Sequence, residues 1–188
     1  MKQARAIWRE CQTQIDPDRL VFVDETGLST DMSRLRGWGF GGQRVIDATP
    51  CGRWHTNSLV SAIGGDGVLA AMVLDGPING DWFTHFCEQL LAPVLPVGSI
   101  VVLDNLGSHK VSAAATALER VGCSFAFLPA YSPDLNPIEN IFAKVKAIIR
   151  KLRPRTWGQI VDAACEALLA ITPQDCTHSI EHCGYESL

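Results

Sequence analysis

Three acidic residues stand in local contexts that could bring carboxylates together. Asp24 ends the apolar run Val-Phe-Val-Asp, Asp104 ends Ile-Val-Val-Leu-Asp, and Glu139 lies in Tyr-Ser-Pro-Asp-Leu-Asn-Pro-Ile-Glu. Short β-branched runs closed by a polar residue predict buried strands that deliver a side chain to the edge of a sheet. Clustered carboxylates repel one another unless cations lie between them, and their oxygens are the ligands that Mg²⁺ prefers. The pattern therefore predicts a magnesium site for phosphoryl transfer on nucleic acid.

Each strand-end acid also has a structural alternative. Asp24 could simply end a strand, and the pair Asp104-Asn105 could form a turn, because Asp and Asn favour turns and caps. Glu25 could replace Asp24 as a ligand, but neighbouring residues in a strand point to opposite faces, so only one can enter the site, and we choose Asp24. Asp134 competes as the third acid, although its Ser-Pro-Asp context is typical of a turn.

Glu139 is predicted to lie in the first turn of a helix. With Asn136 as the N-cap and Pro137 at the first helical position, Glu139 occupies the third position, where it would complete a capping box. The capping role is compatible with a ligand role, because a helix start fixes the direction of the carboxylate.

Composition indicates one globular domain. The chain has 188 residues, 47% of them hydrophobic, and no apolar run approaches the roughly 18 residues of a membrane span. The N-terminus also lacks the apolar core of a signal peptide, so we expect a cytoplasmic protein.

Cysteines and histidines give little support for other chemistry. Seven cysteines without a Cys-x-x-Cys pair argue against a disulfide framework or a zinc ribbon. The tail offers Cys176, His178, His182 and Cys183, but a zinc site there would need further ligands. None of the five histidines pairs recognisably with a Ser or Cys nucleophile.

The basic residues are unevenly distributed. A net charge of −4 argues against a nucleic-acid partner, yet six of the 16 basic residues fall in one span of twelve positions, 144–155, that follows Glu139. This basic cluster comprises Lys144, Lys146, Arg150, Lys151, Arg153 and Arg155. It predicts a DNA-binding face, with a solvated helix face as the alternative. Tyr131 and Trp38 could stack on bases, although packing is the commoner role of such side chains.

Periodicity and turn signals predict a mixed α/β sheet with helices on both faces and an antiparallel portion first. We expect a short helix before residue 16, with Ile7, Trp8 and Cys11 on one side, and a first strand that ends at Asp24. A glycine- and arginine-rich loop or hairpin follows. The remaining predicted strands are 58–63 and 68–74, joined as a hairpin, then 100–103 and 124–128. The remaining predicted helices are 79–91, 112–120, 137–152, 157–169 and a segment after 173.

Three sequence blocks resemble those of a DDE transposase catalytic domain, specifically the bacterial insertion-sequence branch of the Tc/mariner superfamily. They are Asp24-Glu25-Thr26, then Leu103-Asp104-Asn105 with His109 beyond, and Leu128-Pro129-x-Tyr131-Ser132-Pro133-x-Leu135-Asn136-Pro137-Ile138-Glu139. The 34 residues between Asp104 and Glu139 match the spacing of that branch. Phe142 stands where relatives usually have Trp, which is a conservative change.

This resemblance implies a ribonuclease-H-like fold, with the first acid on the first strand, the second at the end of the fourth strand and the third on a helix. It implies two Mg²⁺ ions, replaceable by Mn²⁺, with Asp24 bridging both and Asp104 and Glu139 each binding one. Water would cut the element ends, and the DNA 3′-hydroxyl would then join target DNA, for which the family implies a TA dinucleotide. A dimer on double-stranded DNA is implied because two ends must meet. Apart from the resemblance, His109 could contact phosphate, orient a metal-bound water or cap the following helix, and Asn105 could support the site or shape the turn.

Complete transposases of this type begin with helix-turn-helix domains, whereas here only a short helix precedes the first strand. We therefore expect residues 1–188 to form a single catalytic domain, either excised, produced from a split reading frame or left by a decayed element. Two other functions stay open: a different ribonuclease-H-like nuclease, and an inactive DNA-binding protein derived from a transposase.

Overall fold

A mixed five-stranded sheet forms the centre of the molecule. The structure, a computed structural model, describes residues 2–34, 36–51, 54–104 and 111–186. In these ranges the sheet has the order β3-β2-β1-β4-β5, with β1 antiparallel to β2 and parallel to β4. The strands are β1 (Leu20–Ser29), β2 (Thr56–Gly64), β3 (Gly67–Asp75), β4 (Ile100–Leu103) and β5 (Ser124–Phe127). The predicted β2–β3 hairpin and mixed sheet are confirmed.

Helices cover both faces of this sheet. They are α1 (Lys2–Gln12), α2 (Gly80–His85) with a π-helical continuation over Phe86–Leu91, α3 (Val111–Arg120), α4 (Ile138–Leu152), α5 (Trp157–Leu169) and α6 (Pro173–His182). Because strand side chains alternate, Leu20 and Phe22 join the core beneath α4, α5 and α6, whereas Val21 and Val23 join the core beneath α2 and α3. No helix in the described ranges is long and apolar enough to cross a membrane.

The prediction that the first strand ends at Asp24 is wrong. Parallel pairing of β1 with β4 stops at Val23 and Leu103, but antiparallel pairing with β2 continues from Asp24 to Ser29. The partner strand therefore extends β1 beyond the apolar run. Asp24 lies inside a strand, at the point where one of its two neighbouring strands ends.

Two predicted apolar helix faces are also partly wrong. In α1, Ile7 and Cys11 are exposed, whereas Gln12 is buried because its amide donates to the carbonyls of Cys183 and Gly184. In the second helical segment, Phe83, Phe86 and Leu91 are buried as predicted, but Trp82 and Leu90 are exposed. The change to π-helical geometry after His85 shifts the later side chains around the axis, so α-helical spacing does not predict them all.

The glycine-rich segment after β1 is an exposed loop. Residues 36–51 carry one short 3₁₀ turn, Phe40–Gly42, and all are exposed. The Arg153 guanidinium at the end of α4 pairs with Asp47 and so ties this loop to the rest of the molecule.

Candidate active site

Strand register places two of the acids side by side. Phe22 pairs with Val102 and Val23 with Leu103, and one further step along both parallel strands reaches Asp24 and Asp104. Asp104 directly follows β4, the fourth strand, as predicted. Alternation puts both acids on the face covered by α4, on strands that lie about 4.8 Å apart.

The first turn of α4 brings Glu139 to the same place. A cleft of about 460 Å³ is lined by Asp24, Asp104 and Glu139, together with the segment that leads from β5 into α4. Glu139 is exposed, whereas Asp24 is 9% exposed. The fold thus gathers three carboxylates that lie far apart in the sequence.

Electrostatics in the cleft favour a bound cation. The pKa of Asp24 is raised to about 7, with burial as the largest cause. A hydrogen bond from the Glu25 backbone N–H acts in the opposite direction, and the negative charges of Asp104 and Glu139 act in the same direction as burial. A divalent ion would replace this repulsion with attraction. The carboxylate oxygens fit a hard cation such as Mg²⁺ by their chemistry. No group of three or more His, Cys, Asp or Glu side chains in the described ranges is arranged to hold an ion by itself.

Asn136 has a different role from the predicted N-cap. The N-cap of α4 is Pro137, with no side-chain capping bond, so the capping box with Glu139 does not form. The Asn136 Nδ2 instead donates to Asp24 Oδ2 at 2.8 Å. This bond uses the donor end of the amide rather than the oxygen that would cap a helix, and a charged acceptor strengthens it. The sequence analysis assigned Asn136 only a capping role and so missed it as a residue of the site. Its only signal was a polar side chain in the block that leads to Glu139.

A family model described as "DDE superfamily endonuclease" matches residues 19–160, which include all three acids. The chain belongs to this family. No curated protein sequence matches this DDE superfamily endonuclease.

Solved structures share its fold. The "Mos1 transposase paired-end complex with left transposon end" superposes with a TM-score of 0.77 at 20% identity, covering 96% of this chain and 56% of that one. The "Mos1 mariner paired end complex with Mn" gives 0.76 at 19% identity, over 96% and 57%. The "Mos1 transposase catalytic domain and Raltegravir with Mg" gives 0.71 at 19% identity, over 96% and 86%. This chain therefore has the ribonuclease-H-like fold of these domains, and it spans just over half of the chain in the paired-end complexes.

The competing acids lie away from this cleft. Asp134 is paired with Arg5 at 2.6 Å and lies 3.5 Å from Arg9, on the outer side of the turn that precedes α4. Glu25 is exposed and does not line the cleft of the endonuclease. The tail forms no zinc site among the described residues, because Cys176 and Cys183 are buried while His178 and His182 are exposed. Asn105 and His109 lie outside the described residues.

The two aromatic candidates are both exposed, so the expectation that they pack is wrong. Tyr131 lines the cleft with 88% of its surface exposed and a backbone φ of 57°. Trp38 is fully exposed in the loop after β1 and does not line the cleft.

The basic cluster of the endonuclease divides into two groups. Lys144 donates to Asp175 at 2.5 Å, Arg153 pairs with Asp47, and Arg155 donates to the carbonyls of Thr30 and Met32. Lys144, followed by Thr172, lowers the pKa of Asp175 to about 2. These three basic side chains hold elements together.

The second group comprises Lys146, Arg150 and Lys151, which form no ion pair with any residue in the described ranges. Lys146 and Arg150 follow Glu139 at seven and eleven positions, which is the spacing of one helix face. A stripe of two cations therefore runs along α4 away from the acids, at about 10 and 16 Å along the axis. Lys151 is exposed beside it.

Proposed function

We propose that this endonuclease is the catalytic domain of a transposase, which cleaves DNA at the ends of an element and transfers the freed 3′-hydroxyl into target DNA. The observation that carries the proposal is the convergence of Asp24, Asp104 and Glu139 on one cleft. Membership of the family supports it, and so does the likeness to structures described as Mos1 transposase with transposon ends.

The three acids would hold two Mg²⁺ ions, with Mn²⁺ able to replace them. The negative charges of Asp104 and Glu139 both raise the pKa of Asp24, so Asp24 lies near each of them. It would contribute to both ions, Asp104 to one and Glu139 to the other. Two carboxylates for each ion would leave positions open for water and phosphate. Bound ions of this kind activate the attacking oxygen and stabilise the leaving oxygen of the phosphate.

DNA would approach the cleft along the cation stripe of α4. Lys146 and Arg150 point along the face that carries Glu139, and Lys151 adds a third charge, so these residues would contact backbone phosphates. Tyr131 would stack on a base at the cleft. Trp38 would meet DNA only outside the cleft, and Lys144 and Arg153 would contribute little because their charges are already paired.

Further aspects of the proposal follow from the function. Residues 1–188 would act as one catalytic domain, because both hydrophobic clusters pack on a single sheet. Two element ends must be joined, so the active form would be a dimer on double-stranded DNA, with a TA dinucleotide as target. The third sequence block favours the bacterial insertion-sequence branch, in which the enzyme would work in the cytoplasm on the nucleoid.

Nicking of supercoiled DNA tests this function. Wild-type protein should nick it with Mg²⁺ or Mn²⁺ and lose the activity in EDTA, and Asp104→Asn or Glu139→Gln should lower the rate at least about 100-fold, since losing a ligand costs more than losing its outer partner. Asp66→Asn is the matched control, because Asp66 is exposed in the β2–β3 turn. Equal nicking by wild type and Asp104→Asn would contradict the proposal and favour a DNA-binding protein. A preference for RNA would favour another ribonuclease-H-like nuclease.

A further inference from the structure

We propose that Asn136 is a positioning residue of the acidic cleft, which fixes the first acid relative to the third so that divalent ions bind between them. The inference rests on the proposed function and adds to it a residue outside the acidic set. Asn136 is 4% exposed, and its amide reaches Asp24 across 112 positions of sequence.

Asn136 contacts both acids through different groups. Its side-chain amide donates to Asp24 Oδ2, and its backbone carbonyl accepts the N–H of Glu139 at 3.2 Å. One residue therefore links the strand that carries the first acid to the helix turn that carries the third. A shift of Asn136 would change the distance between the two carboxylates directly.

The hydrogen bonds of Asp24 leave room for metal. Its Oδ1 accepts the Glu25 backbone N–H at 2.7 Å and its Oδ2 accepts the Asn136 amide, so each oxygen keeps one lone pair. The carboxylate is thus oriented by two donors while both oxygens can still bind ions. Such outer partners orient ligands in many metal sites.

An amide suits this position better than a charged donor. A Lys or Arg here would neutralise Asp24 and repel a divalent ion. An Asp would instead add a negative charge to a cleft in which the other acids already make ionisation of Asp24 less favourable. A neutral donor orients the carboxylate and leaves its charge available to the metal.

The turn that carries Asn136 is held from outside the cleft. The Tyr185 hydroxyl donates to the Leu135 carbonyl at 2.8 Å, and Trp8 Nε1 donates to that hydroxyl at 3.0 Å. Arg5 pairs with Asp134 on the same turn with two bonds. These contacts fix the backbone before Asn136, so its side chain is held in place before any ion arrives.

Calorimetric titration with Mn²⁺ in the absence of DNA tests the inference. Asn136→Ala should bind Mn²⁺ about 10- to 100-fold more weakly than wild type, and Asn136→Leu should behave alike, because it fills the volume but lacks the donor. Asn140→Ala is the matched control, since Asn140 is exposed on the following turn, and it should bind as wild type does. In nicking assays the half-saturating Mn²⁺ concentration should rise by the same factor, whereas a purely structural defect would lower the rate at every concentration.

Asp24→Asn separates the two levels of the proposal. If this variant loses Mn²⁺ binding while both Asn136 variants bind as wild type does, the positioning role is overturned and the metal site stands. If Asp24→Asn itself binds Mn²⁺ as wild type does, the metal site fails and the positioning role with it. Should neither Asn136 variant fold, the Asn136 side-chain amide signal of ¹⁵N-labelled wild type is followed during Mg²⁺ titration: a shift that saturates with binding supports the role, and an unchanged signal overturns it.

Discussion

At the residue scale, Tyr131 combines strain with exposure. Its φ of 57° lies in the left-handed region, which costs a residue with a Cβ roughly 1–2 kcal/mol, and its ring is 88% exposed at the rim of the cleft. Neither feature stabilises the folded chain. The arrangement makes physical sense if the ring contacts a ligand in the cleft, because strained residues persist where function requires them.

Replacement of Tyr131 by Gly should therefore have opposite effects on stability and on DNA binding. Relief of backbone strain, less the entropy cost of Gly, should raise the free energy of unfolding by about 0.5–1 kcal/mol in urea titrations. Loss of one stacked base should weaken binding to short duplexes by about 10-fold, corresponding to about 1.4 kcal/mol. Tyr131→Ala keeps the strain, so it should lose affinity without gaining stability. Unchanged DNA affinity in both variants would exclude stacking by this ring.

At the element scale, α4 joins the acids to the surface that would meet DNA. Its apolar face, with Ile138, Ile141, Phe142, Val145 and Ile149, is buried against the sheet. One flank of the helix, beside this buried face, carries Glu139 in the first turn and Lys146 and Arg150 further along. Lys144 lies to one side and ties α4 to the capping box of α6 through Asp175. One helix thus has a packing face, a face for function and a face for attachment to its neighbour.

The salt dependence of DNA binding should distinguish these faces. The double variant Lys146→Ala/Arg150→Ala should make the negative slope of log K against log salt shallower by about 1.8, since each phosphate contact contributes about 0.9. Its folding stability should change little, because both side chains are partly exposed and unpaired within the described residues. Filter binding or fluorescence anisotropy at several salt concentrations gives the slope.

The control for this experiment is Lys144→Ala/Arg153→Ala, which removes the same charge from the paired side chains. It should leave the salt slope nearly unchanged and lower stability instead. Equal slopes for the two double variants would show that Lys146 and Arg150 affect DNA binding only through the net charge of the protein.

At the scale of the whole molecule, the two ends of the described chain meet at the turn before α4. Gln12 in α1 donates to the carbonyls of Cys183 and Gly184, and Trp8 donates to Tyr185, whose ring packs edge-on against Phe22 at 5.0 Å. Gly184 has a φ of 86°, and a Cβ there would lie 2.8 Å from the Gln12 amide. The ends are therefore closely fitted around the segment that supplies Asn136 and Glu139.

Removal of the Tyr185 hydroxyl should test how much the contacts between the two ends contribute to the stability of the folded chain. Tyr185→Phe keeps the packing but leaves the Trp8 N–H and the Leu135 carbonyl without that partner, and it should cost about 1–3 kcal/mol of unfolding free energy. Tyr131→Phe is a matched control, because Tyr131 is the other of the chain's two tyrosines and it is exposed. Urea unfolding of both variants gives the comparison, and equal stabilities would mean that the ends do not hold the turn.

Much of the fold was readable along the chain because local patterns dominate it. The β2–β3 hairpin follows from two apolar runs around a glycine-rich turn, and α5 follows from its 3.6-residue period. The extent of β1 did not follow, since residues after Asp24 are strand only because β2 pairs with them. The buried role of Gln12 depended on carbonyls some 170 positions away.

By itself the sequence determined the acidic set and the helix that presents Glu139, because each depends on residue type and near neighbours. Only the tertiary structure decided which side chains meet. Register puts Asp24 beside Asp104, and the turn before α4 turns Asn136 from a helix cap into a partner of Asp24. The tertiary structure also pairs Lys144 with Asp175 and Arg153 with Asp47. It leaves Lys146 and Arg150 on the side of α4 that carries Glu139. The physical reason is that hydrogen bonds and ion pairs form between neighbours in space, whereas a linear pattern records only neighbours in sequence.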